Sequence, residues 1–79
     1  VSKVSLGEAD AGVVYVTDVK AGGSKVQGVG IPDAQNVVAR YPIALLTESK
    51  NGSAGKAFIE FVLSPQGQGI LQRYGFLSP

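Results

Sequence analysis

The sequence contains no cysteine, histidine, methionine or tryptophan, and these absences remove chemistry. Without Cys or His there is no zinc finger, iron–sulfur or haem ligation, no thiol redox centre and no Ser–His or Cys–His nucleophile pair. Charge is scarce as well: 16% of the residues are charged, against about 25% in an average globular domain. Seven basic and six acidic side chains leave a net charge of +1, and their scatter gives no electrostatic footprint for a nucleic acid or an anionic membrane. Long apolar runs are missing: nothing approaches the roughly 20 residues that span a bilayer. No basic segment followed by an apolar run marks a signal peptide.

What remains is apolar for its length. Hydrophobic residues make up 44% of 79, which argues against disorder. A chain this short buries only about 60% of its extended surface, and neither disulfide nor metal compensates. The composition reads as a piece of something larger, and Val1-Ser2-Lys3-Val4 opens without Met or cap, as if in mid-helix. The lack of Cys accords with an extracytoplasmic bacterial protein.

Residues 1–8 read as the tail of a helix, broken by Gly7 and the run to Gly12. Gly12-Val13-Val14-Tyr15-Val16 is a β-branched and aromatic run without polar alternation, the pattern of a central parallel strand covered on both faces. Thr17-Asp18 then predicts a helix start, with Thr17 at the N-cap and Asp18 in the first turn, stopped at Gly22-Gly23. Residues 25–31 read as a second strand ended by Pro32, residues 32–36 as a loop, and residues 37–46 as an extended apolar segment with Pro42 at a kink or edge. After the polar connection 47–53, Ala54, Ala57, Phe58, Phe61 and Val62 share one helical face, with Lys56 and Glu60 paired on the other. Ser64-Pro65 closes that helix and opens another, lined by Ile70, Leu71 and Tyr74. Gly75 follows as a left-handed cap, with Phe76 and Leu77 folding back on the last turn. The order predicts an α/β sheet.

Little here carries reaction chemistry. Glu8 and Asp10 flank Ala9 in a polar turn, where nothing buries a carboxyl enough to make an acid–base pair. Gly28-Val29-Gly30 and Gly67-Gln68-Gly69 lack the strand–turn–helix setting of a phosphate cradle. Tyr15 differs, lying at the carboxyl end of the expected central strand, beside a helix start. Open α/β sheets bind ligands there, and a phenol can donate to an oxyanion without adding charge. Filling a core with a satisfied hydroxyl is the other reading of Tyr15. Tyr41 and Tyr74 read as packing residues.

The segment Gly7-Glu8-Ala9-Asp10-Ala11-Gly12-Val13-Val14-Tyr15-Val16-Thr17-Asp18-Val19 resembles the G-E-A-D-A-G-[IV]-V-Y-x-[ST]-D-[AV] pattern of molybdate-binding proteins, the extracytoplasmic receptors of molybdate ABC importers. Tyr41-Pro42-Ile43-Ala44 is similar to their Y-P-[IV]-A, and Ala57–Gln68 with Arg73-Tyr74-Gly75-Phe76 resembles their terminal motifs, which neighbouring receptor families share. The likeness runs through all 79 residues, about the last third of such a receptor.

The resemblance implies the C-terminal fragment of a type II periplasmic-binding-protein fold, two α/β lobes joined by a hinge. Residues 1–31 would belong to the second lobe, 32–42 to the hinge crossing, and 43–79 would supply a strand and the C-terminal helices packed on the first lobe. It implies a receptor and not an enzyme, without cofactor, in the periplasm or lipid-anchored at the cell surface. Its ligand would be molybdate or tungstate and its partner an ABC importer permease. Tyr15 alone of the family's neutral donors maps onto this chain, meeting the metal through a molybdate oxygen and not by direct coordination. Receptors for other oxyanions or ferric iron belong to the same superfamily, though iron sites favour adjacent tyrosines with a carboxylate and Tyr15 stands alone. The lobe also serves as the effector domain of transcription regulators. As an isolated piece, the chain is expected to form a homodimer or swapped assembly, or to rest against the missing N-terminal part of its parent chain.

Overall fold

Local signals dominate the architecture, and each helix ends where the sequence supplies a stop. The computed structural model describes residues 1–79 and contains four α-helices: α1 (Ser2–Ser5), α2 (Val16–Gly22), α3 (Gly52–Leu63) and α4 (Pro65–Arg73). Short 3-10 turns occupy Gly23–Lys25 and Asp33–Gln35. After α4 the chain reverses at Gly75, with φ of 97°. There the Gly75 N–H bonds the Gln72 carbonyl at 3.1 Å and the Phe76 N–H bonds Leu71 at 3.2 Å. These crossed bonds satisfy carbonyls that a helix end leaves open, and the left-handed position suits a residue without Cβ. The same pair of bonds closes α1: Gly7 to Val4 at 3.1 Å and Glu8 to Lys3 at 2.9 Å.

The joint between α3 and α4 is the tightest place in the molecule. Ser64 caps α4 as expected, its hydroxyl accepting from the Gly67 N–H at 3.2 Å while donating to the Phe61 carbonyl at 2.5 Å. Pro65 takes the first helical position, where its missing N–H costs nothing. Gln68 reaches back to donate its side-chain amide to the Val62 carbonyl at 2.8 Å. Gly67 is the one buried residue of the chain. A Cβ there would lie 2.7 Å from the Val62 carbonyl oxygen, 2.9 Å from its Cα, and against the Phe61 carbonyl. The Ser-Pro-Gln-Gly-Gln run is therefore a helical corner.

Several expectations are corrected. The segments 12–16, 25–31 and 37–46 form no β-ladder; apart from Val16 in α2 and Lys25 in a 3-10 turn, they run without regular structure. A strand exists only against a neighbour, and these segments supply none for one another. Val13, Val29 and Val37 accordingly stand about nine-tenths exposed. Second, α2 begins at Val16 with Tyr15 at the N-cap, not Thr17. Asp18 thus falls at the third helical position, where its carboxylate accepts the Tyr15 N–H at 3.0 Å. Third, α3 starts at Gly52, Tyr74 is exposed, and the sole ion pair is Lys3–Glu8 at 3.9 Å, so Lys56 and Glu60 do not pair.

No hydrophobic side chain is buried. The accessible surface is 7054 Å², against about 4,500 Å² for a folded monomer of this mass. The radius of gyration is 16.7 Å, where a domain of this length would have about 12 Å. Phe58 and Phe61 of the α3 face read as apolar from the sequence stand half or more exposed.

Candidate functional site

Tyr15 is set by its backbone. Its φ and ψ of −75° and 153° are those of an N-cap, and its carbonyl accepts from the N–H groups of Asp18 at 3.0 Å and Val19 at 3.3 Å. With the Asp18 carboxylate on its own N–H, every polar backbone atom of Tyr15 is engaged. The side chain takes no part in the cap. It projects 57% exposed, with its ring edge-to-face on Tyr41, centroids 6.0 Å apart and planes at 89°. Tyr41 in turn meets Phe76 at 6.0 Å and 68°. The row joins three stretches far apart in sequence: the start of α2, the segment preceding Pro42, and the turn after α4.

The electrostatics are those of neutral donors beside one carboxylate. Asp18 places its carboxylate at the positive end of α2. The Tyr41 phenol is pushed above its ordinary range, first by partial loss of hydration, then by the Tyr15 phenol and the Asp18 carboxylate. It stays protonated and uncharged at neutral pH. The arrangement can donate hydrogen bonds to an anion, and no group of three or more Asp or Glu side chains is placed to hold a metal ion.

Other features weighed in the sequence resolve into structure. Glu8 is exposed in its turn beside Lys3. Gly28 lies against α2, where a Cβ would meet Val19 Cγ1 at 2.8 Å, so Gly28 is a packing contact, while Val29 is exposed and Gly30 borders open space. Gly67 belongs to the helical corner. Tyr41 and Phe76 are the site neighbours that sequence reading missed. A usable signal lay in Pro42, which holds the preceding residue extended, and in Gly75, whose reversal aims Phe76 back.

Two open apolar grooves lie elsewhere. One of about 330 Å³ runs between Ile43, Leu45, Leu46 and the Gly55, Phe58 and Ile59 side of α3. Another of about 160 Å³ lies between α3 and α4, lined by Phe58, Phe61, Val62, Ile70 and Leu71. Neither has the polar groups of an ion site. No helix is long and apolar enough to cross a membrane.

The chain is 38% identical over 78 residues to a molybdate-binding protein, ModA, of Mycobacterium tuberculosis, a match covering 99% of this chain and 30% of that protein. The molybdate-binding protein ModA of Escherichia coli is 36% identical over 92% of this chain and 28% of its own length. A putative ABC transporter substrate-binding lipoprotein of Bacillus subtilis is 32% identical over 95% of this chain and 29% of its own length. The chain thus spans about 30% of the length of the curated relatives it matches. No solved structure matches it. The family model for bacterial extracellular solute-binding proteins matches residues 1–77. The chain belongs to that family of solute-binding proteins.

Proposed function

We propose that these 79 residues are the C-terminal part of a receptor that captures molybdate or tungstate outside the cytoplasmic membrane and delivers it to an ABC importer. The observation that carries the reading is Tyr15, a neutral phenol donor projecting from a fully satisfied N-cap within the segment 7–19 that resembles molybdate-binding proteins. Relatives named for molybdate binding and for ABC transport support it. In this reading residues 1–31 belong to one α/β lobe of a type II periplasmic-binding fold, 32–42 cross the hinge, and 43–79 pack on the other lobe. The unpaired extended segments would gain their strand neighbours there.

The physics of the site fits capture and release. A dianion entering a closed cleft loses its hydration, and short hydrogen bonds from fixed neutral dipoles replace it. No counter-charge is needed, so the anion can leave again. No cofactor enters and no bond is made or broken; the rest of the donor set comes from the remainder of the receptor.

The test is Tyr15→Phe in that receptor, titrated with molybdate by calorimetry. Loss of one hydrogen bond to a charged group removes about 1.5–3 kcal/mol, a weakening of about tenfold or more. Unchanged affinity would sink the assignment.

A further inference from the structure

We propose that Tyr41 is a positioning residue for the oxyanion site: held between the rings of Tyr15 and Phe76, it fixes the direction in which the Tyr15 hydroxyl meets the ligand. The inference rests on the reading of Tyr15 given above and extends it to a residue that touches Tyr15 without belonging to the donor set.

The contacts form a closed circuit. Tyr15 caps α2 through its own backbone and Asp18. Gly75 sits on the same helix, where an added Cβ would lie 3.6 Å from Thr17 Cγ2 and 3.6 Å from Lys20 Cδ. Phe76 is tied to α4 through its N–H on Leu71. Its ring meets Tyr41, and Tyr41 returns to Tyr15, both at 6.0 Å in edge-on geometry. Every ring in the row is thus referred to α2, either through the Tyr15 cap or through the seat of Gly75.

Without that row, the half-exposed Tyr15 phenol would be free to turn about its side-chain torsions. A donor that must be ordered on binding gives up affinity for the lost freedom. An edge-to-face neighbour restricts the ring while leaving the hydroxyl open. The elevated ionisation range of Tyr41 accords with its place beside the Tyr15 phenol and Asp18. The ring, not the hydroxyl, of Tyr41 does the positioning.

The test is a double-substitution cycle in the complete receptor, with molybdate affinity read by calorimetry and folding followed by thermal unfolding. Tyr41→Leu weakens molybdate binding about threefold to tenfold, the range expected for freeing one side chain. Tyr41→Phe keeps the affinity within about twofold, because the edge-on ring is retained. Phe76→Leu loosens the row from its far end and weakens binding in the same direction, by less. On a Tyr15→Phe background, Tyr41→Leu costs nothing further, since there is no hydroxyl left to aim. The proposal is overturned if Tyr41→Leu costs as much on that background as in the natural sequence, the mark of a merely structural residue. It is equally overturned if Tyr41→Phe is as damaging as Tyr41→Leu, which would make the Tyr41 hydroxyl itself a ligand. Should Tyr15→Phe alone leave molybdate affinity unchanged, the Tyr15 assignment fails first and this inference with it.

Discussion

Two glycines in one helix, two residues apart, should respond to alanine with opposite signs. Gly69 lies within α4, and a Cβ built on it meets nothing within 4 Å. Gly69→Ala therefore lowers the conformational entropy of the unfolded chain at no steric cost, a stabilisation of about 0.5–1 kcal/mol. At Gly67 the Cβ would land among the Phe61 and Val62 carbonyls and the Val62 Cα. These are backbone atoms, so no rotamer change relieves the overlap and the corner must open. Overpacking of this kind costs about 1–3 kcal/mol, and opening also loosens the Ser64 cap, worth about 1 kcal/mol. Alanine returns about 1 kcal/mol of helix propensity. The balance is a net destabilisation of about 1–3 kcal/mol. Urea unfolding of the complete receptor reads both changes as midpoint shifts, and far-ultraviolet circular dichroism of the 79-residue chain reads them as helix gained or lost. If Gly67→Ala raised the midpoint as Gly69→Ala does, the account of the corner would be refuted.

The isolated 79-residue chain should not bind molybdate at micromolar concentration, because one neutral hydrogen bond nets about 1 kcal/mol; micromolar binding in equilibrium dialysis would show that the donor set lies within these residues. The chain should associate in solution, since Phe58 and Phe61 stand half or more exposed and burial of each such side chain is worth about 1.5–3 kcal/mol. In light scattering, Phe61→Asp should abolish that association and Lys56→Glu should leave it intact; a monodisperse monomer of the natural sequence would contradict the argument. Tyr41 should ionise above the ordinary phenol value of 10.0. A raised value in the folded state means its contribution is complete below that pH and is lost as pH climbs through the elevated range. Ultraviolet titration should therefore lose its late-ionising phenol in Tyr41→Phe.

What could be read directly from the sequence is what is decided within about five residues. Ser64-Pro65 caps and opens α4, Gly75 reverses the chain after it, and Gly22-Gly23 ends α2, because each bond involved closes between near neighbours. Even at this range one competition went unseen. Thr17 and Asp18 both offer an oxygen to a helix start, and Asp18 prevails by folding back onto the Tyr15 N–H, which moves the cap two residues upstream. The strands fail for a different reason. The apolar pattern of 12–16 encodes burial on both faces, and burial is a property of the neighbour as much as of the segment. Tyr15 with Tyr41 and Phe76 fails differently again, since edge-on ring contacts leave no period in the sequence.

The exposed surface and the site pose the same requirement. A phenol 57% open to water can aim a hydrogen bond, but it cannot dehydrate an anion, and in water a single such bond is nearly balanced by the water it displaces. Direction is settled locally, by the Asp18 cap and the row of three rings. Dehydration has to come from a second wall. The roughly 2,500 Å² by which the surface exceeds that of a folded monomer is of the size that permanent interfaces bury. In the proposed receptor, the apolar surface of 12–16 and α3 left uncovered here is where that second wall would close beside Tyr15.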